Sequence, residues 1–135
     1  MAGAQSGFGY DESWIANADL STKQFFCVKL VAGPKVDLCA AATDRAFGIL
    51  QNKPSASGRN TAVRHLGISK AVSDGSGTAI AVGDLVGTDA NGRVIKKATA
   101  DNGVVGVALD ASSAVGTIIR VFLLAPGTSV FRTLT

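Results

Sequence analysis

Most of what would announce an enzyme is missing from this sequence. One histidine, His65, and one glutamate, Glu12, occur in 135 residues, so a His-based metal site would need carboxylate or thiolate help and paired carboxylates would have to come from dispersed aspartates. Several of those, Asp74, Asp84, Asp89 and Asp101, fall in turn-like stretches where turn chemistry already accounts for them. Cys27 and Cys39 are not in C-x-x-C spacing. Neither G-x-S-x-G nor G-x-x-x-x-G-K-[ST] occurs, and Gly75-Ser76-Gly77 is too short to cradle a phosphate and lacks the lysine. His65 stands in the alternating run Val63-Arg64-His65-Leu66, the setting of a structural strand histidine. These absences predict a protein that is not an enzyme, with no catalytic residue, no cofactor and no metal.

Other scarcities exclude other classes. The 13 basic residues are scattered, Lys96-Lys97 being the one adjacent pair, without interleaved aromatics, which argues against a nucleic-acid partner. The N-terminus MAGAQSGFGYDESW has no charged start followed by an apolar core, and no apolar run is long enough to span a bilayer, so a soluble protein made in a cytosol, with no membrane partner, is expected. Reduced, buried thiols are then expected at Cys27 and Cys39. Whether they could pair depends on the turn between them: a three-residue loop, Ala32-Gly33-Pro34, puts 27 opposite 39, and a two-residue loop, Gly33-Pro34, pairs 27 with 40. No window of helical length carries an apolar stripe at 3.6-residue spacing, whereas 16 glycines and 47% apolar residues suit short strands joined by tight turns. The chain is long enough for one domain with a real core.

What is present centres on residues 83–109. Asn91-Gly92 stands between the strand-like runs 84–88 and 93–97 and predicts a two-residue hairpin turn; after a polar break at 99–102 follows Val104-Val105-Gly106-Val107-Ala108-Leu109, a β-branched run with a central glycine. The same plan occurs earlier. Displaced by 58 residues, Val28 falls on Val86, Val36 on Val94, Gly48 on Gly106, Gly58 on Gly116 and Val63 on Val121. The coincidence of turns, glycines and strand-like runs predicts two related halves, 28–66 and 86–124. Strands are read at 25–32, 35–41, 46–51, 62–66, 68–72, 78–82 and 117–124, the last being the most hydrophobic and expected to be central.

The ends differ in kind. Residues 1–20 are polar and glycine-rich, with Phe8, Tyr10 and Trp14 inserted, the only Tyr and the only Trp of the chain among them. They read as an arm that lies against a partner or against its own domain through its aromatics. Residues 21–125 form the domain, residues 52–59 an exposed loop, and the tail 126–135 brings Val130, Phe131 and Leu134. The candidate interface residues are therefore Phe8, Tyr10, Trp14, Val130, Phe131 and Leu134.

Two functions from different classes fit so far: a structural protein that binds other proteins by its surface, and a carrier or small binding module of the barrel-sandwich type, for which Gly83-Asp84-x-Val86 is a superficial match. Against the carrier, the hairpin tip is Asn91-Gly92 and the nearest lysines, Lys96 and Lys97, lie down the strand. The succession Phe47-Gly48-Ile49, Gly67-Ile68, Ala81-Val82-Gly83-Asp84-Leu85-Val86, Asn91-Gly92-Arg93-Val94, Val105 to Ala111 and a closing strand 116–123 resembles the small capsid cement, or head decoration, proteins of tailed bacteriophages over residues 20–125. The resemblance implies a mostly β, single-domain β-barrel or β-tulip on the outside of the head, commonly a homotrimer. It also implies that the protein clamps neighbouring major capsid protein subunits without catalysis or cofactor, and that assembly takes place in the host cytoplasm.

Overall fold

The structure, a computed structural model, describes residues 9–97 and 103–123. Nine strands and no helix occur among them: β1 (Gly9–Ala16), β2 (Cys27–Val31), β3 (Lys35–Leu38), β4 (Gly48–Leu50), β5 (Asn60–Asp74), β6 (Leu85–Thr88), β7 (Val94–Lys96), β8 (Val104–Ala108) and β9 (Val115–Leu123). They form one sheet in the order β1-β3-β2-β4-β5-β7-β6-β8-β9, with further pairings β1–β5 and β5–β9. The pairing therefore returns on itself twice. One circuit runs β1-β3-β2-β4-β5 and back to β1; the other runs β5-β7-β6-β8-β9 and back to β5.

The two circuits share their register. Val28↔Gly48 recurs as Val86↔Gly106, Leu30↔Val36 as Thr88↔Val94, and Leu50↔Val63 as Ala108↔Val121. Bonds outside the ladders recur as well: Phe25 N–H to Leu50 C=O (2.7 Å) with Gly83 N–H to Ala108 C=O (2.8 Å), and Gln51 N–H to Ala62 C=O (2.8 Å) with Leu109 N–H to Arg120 C=O (2.9 Å). Phe25 is the one non-glycine with positive φ among the described residues, at 70°, and its counterpart Gly83 has φ 93°. A left-handed Phe costs roughly 1–2 kcal/mol. It is held there by the Val72 N–H, which donates to its carbonyl at 2.9 Å, and by packing of its ring on the second core.

Alternation along the strands makes the cores. Ala16, Leu20, Val28, Val36, Leu50 and Val63 fill the first circuit, with Trp14, Leu38 and Phe47 packed against them. Val86, Val94, Ala108, Ile119, Val121 and Leu123 fill the second, joined by Cys27, Cys39 and Ile49. Neighbours on β2 and on β4 thus serve different cores, Val28 and Leu50 the first, Cys27 and Ile49 the second. Each fully buried aliphatic side chain contributes roughly 1.5–3 kcal/mol of transfer free energy, so two modest cores coupled through shared strands suffice.

Several expectations need correction. The described part of the expected N-terminal arm is built into the sheet: Gly9–Ala16 is a strand, antiparallel to β5 from Gly9↔Gly67 to Ile15↔Asn60 and parallel to β3 at Ala16↔Val36, while residues 1–8 lie outside the described residues. Asp11, Ser13 and Ile15 point outward while Trp14 and Ala16 turn towards the first core, an alternation that low apolar content disguises. The second hairpin turn is not two residues long. Asp89 N–H bonds Arg93 C=O, leaving 90–92 as a three-residue loop in which Gly92 takes φ 81°, because the Asp89 carboxylate gathers the Asn91 and Arg93 N–H groups at 2.8 and 2.9 Å. The first hairpin has the same length, Val31 pairing with Lys35, which sets Cys27 opposite Cys39. Residues 62–66 and 68–72 belong to one 15-residue strand, and 78–82 form no strand beyond the bridge Ile80↔Ser112. The central strand is β5, which pairs with β1, β4, β7 and β9, and not 117–124.

Candidate functional site

The side chains that could carry chemistry are occupied structurally. Cys27 and Cys39 are free and fully buried; burial pushes the Cys39 thiol up to about 12 and raises that of Cys27 as well, so neither is a thiolate near neutrality. His65 stacks on Phe47 (ring centroids 5.0 Å), meets Tyr10 edge-on (5.5 Å), and shares a 3.1 Å contact between its Nε2 and Glu12 Oε1. Glu12, assigned to the arm by sequence, is thus a strand residue paired with the lone histidine. Among the described residues no group of three His, Cys, Asp or Glu side chains is placed to hold a metal ion.

The lysines do not suit a carrier. Lys97 is 8% exposed, its Nζ donating to Ala42 C=O at 2.9 Å, and burial lowers its pKa. Lys96 pairs with Asp84 at 3.6 Å. The hairpin tip is not free either, since Gly92 C=O accepts the Cys27 N–H at 2.7 Å.

Of the aromatics nominated by sequence, Tyr10 is 49% exposed and Trp14 half-buried, edge-on to Phe47 with ring centroids 5.3 Å apart. Trp14 Nε1 is buried without a hydrogen-bond partner among the described residues. The structure brings these two together around Phe47 and His65; Phe8, Val130, Phe131 and Leu134 lie outside the described residues.

A surface that sequence reasoning missed lies on the outward faces of β5, β8 and β9. Ile68 pairs with Phe122, which pairs in turn with Val107, so the three form one row across three strands. Four residues on, Val72 pairs with Ile118. Between the rows stand Lys70 and Arg120, directly paired; Arg120 holds Asp110 through two guanidinium bonds (2.9 and 2.8 Å) and its own N–H, which bring that carboxyl down to about 2, while Lys70 has no carboxylate partner among the described residues. Phe122 and Ile118 are 41% and 53% exposed. The available signal was the strongly apolar run TIIRVFLL, interrupted only by Arg120 after its opening Thr117, in which every second residue must face outward from a one-sided core.

With this geometry in view, comparisons with known proteins are informative. A family model described as phage cement protein matches residues 14–123. Among solved structures, the head fiber gp8.5 N base of bacteriophage phi29 superposes with a TM-score of 0.60 at 15% identity, covering 88% of this chain and 98% of that one, a likeness of fold. No curated protein matches by sequence. The family match spans most of the chain, and the protein belongs to the phage cement protein family, structural proteins of the phage capsid.

Proposed function

We propose that this protein binds the outer surface of a phage head and stabilises it by bridging major capsid protein subunits, assembling as a homotrimer in the host cytoplasm. The observation that carries the reading is the family match over residues 14–123. The reading is further supported by the described residues, a β-sheet body with a partly apolar outward face on β5, β8 and β9 that suits surface contact. Repeated on a symmetric shell, modest contacts add through simultaneous engagement, so each one needs little affinity. The two circuits of pairing read as two small barrels fused through β5, descended from one duplicated unit. In that view 28–66 and 86–124 correspond, and β1 has its counterpart in the later part of β5, since Ala16↔Val36 recurs as Ser73↔Val94.

Purified protein mixed with heads of its own phage that lack it should sediment with them to a saturable, fixed ratio; protein left in the supernatant at every concentration would refute the reading. Light scattering across a dilution series tests the trimer separately.

A further inference from the structure

The duplicated register supplies an internal control for what the outward faces are for. On β1 and β5 of the first circuit, Asp11 pairs with Arg64 and Ile15 with Asn60; the same places in the second circuit, on β5 and β9, hold Ile68 with Phe122 and Val72 with Ile118. In the first, the Arg64 guanidinium grips the Asp11 carboxylate at 2.6 and 3.2 Å. Asn52 closes the strand edge beside it, donating to Asn60 C=O (3.1 Å) and accepting from Ala62 N–H (3.0 Å). In the second, Asp110 stands where Asn52 would and still accepts from Arg120 N–H (2.9 Å), but a carboxylate cannot donate to the carbonyl of Ile118. Ile15 keeps one apolar side chain on the first face, 42% exposed, but folding the unit does not require apolar residues at the places of Ile68 and Phe122, where the chain itself shows an ion-paired, water-facing solution. A second circuit that abandons it carries an apolar patch with another cause.

We infer that the face formed by Ile68, Val72, Ile118 and Phe122 around Lys70 is where the protein docks on the capsid shell. The inference rests on the capsid reading above and names the surface that performs it. Charge decides the occupant. Lys70 is exposed, its Nζ over the Phe25 ring at 5.8 Å from the centroid but without a carboxylate neighbour among the described residues, while Arg120 beside it is neutralised by Asp110. A twofold contact between copies through this face would bring Lys70 and Arg120 of each against those of the other. The partner that fits is a shell surface presenting apolar side chains with one acidic group opposite Lys70, whose ammonium would be left unpaired if it were covered by apolar atoms alone.

The test transplants the first circuit's solution into the second. Ile68→Asp with Phe122→Arg installs the pair found at positions 11 and 64 of the same register, and Lys70→Glu is made separately. On heads lacking the protein, the double variant should bind at least about tenfold more weakly than the parent. Lys70→Glu should also weaken binding, and parental binding should fall as salt rises. Melting temperature and self-association should stay at parental values. Parental retention of the double variant overturns the inference. So does a collapse of self-association with retention intact, which would make the face a contact between copies, and so does a large fall in melting temperature, which would mean that the chain itself covers it. If the parent fails to bind heads, it is the capsid reading that has failed.

Discussion

Replacing Gly106 or Gly48 by Ala should damage the fold to a similar degree, because the two glycines do the same thing in the two circuits. A Cβ on Gly106 would press into the Phe122 carbonyl, 2.9 Å from its carbon, and onto Val121 Cγ1 at 3.0 Å. On Gly48 it would press into the Arg64 carbonyl, 3.1 Å from its carbon, and onto Val63 Cγ1 at 2.8 Å. In each case the obstacle is the backbone of the paired strand, which cannot swing away as a side-chain end could. Overpacking typically costs 1–3 kcal/mol, and an obstacle of backbone puts these sites near the upper end, about 3 kcal/mol. That is a large fraction of the roughly 5–15 kcal/mol that holds a domain together. For a chain of this length each kcal/mol moves the melting temperature by about 3–5 °C, so a fall on the order of 10 °C is expected for either variant in thermal unfolding followed by circular dichroism. Gly77→Ala is the control: its Cβ would meet nothing within 4 Å and its φ is not positive, so its melting temperature should hold or rise slightly. The reasoning is refuted if Gly106→Ala melts within about 2 °C of the parent, or if Gly77→Ala loses as much.

Trp14→Ala should cost about 2–3 kcal/mol of stability, less than a fully buried Trp because the ring is half-exposed, and urea unfolding would show it. An unchanged midpoint would contradict the packing of Trp14 on the first core. Asp110 has a folded pKa depressed to about 2 by Arg120, so its contribution is present above the unfolded value of about 3.9 and is lost as pH falls towards 2. With both partners more than a third exposed the contribution is below about 1 kcal/mol, and Asp110→Asn should flatten that part of the acid stability curve. A variant whose curve parallels the parent's between pH 4 and 2 would contradict the assignment. Both thiols should be silent to a thiol-reactive dye in the native protein and react on unfolding, and reaction at the native state's full rate would mean that Cys27 and Cys39 are not where burial places them.

Much of the strand plan can be read from the residues, because β-branched runs, glycine turns and the displacement by 58 agree with one another. The pairing Val86↔Gly106 needs only a hairpin and a third strand laid beside it. β1 was hidden for two physical reasons. Its outward positions Asp11, Ser13 and Ile15 leave few apolar residues to reveal the alternation, and its counterpart in the second circuit is displaced by 57 residues, not 58, as Ala16 and Ser73 show. The turn at Asn91-Gly92 misled because the local signal ignores a side chain two residues upstream, the Asp89 carboxylate that lengthens the loop. Phe25 carries no signal for its left-handed backbone; only its alignment with Gly83 points to it. The candidate site was the least legible part. Ile68, Val72, Ile118 and Phe122 read as core by composition, and only cross-strand pairing places them together on the outside. Nor does composition show that the half-exposed Trp14 ring packs at the edge of the first core.

The claim that this protein bridges capsid subunits is tested most directly by an electron cryomicroscopy reconstruction of heads carrying it. The account predicts density on the outer surface, with the face bearing Phe122 and Ile118 turned towards the shell and each protein in contact with more than one capsid subunit. Density on the inner surface, or attachment of each copy to a single subunit, would contradict it.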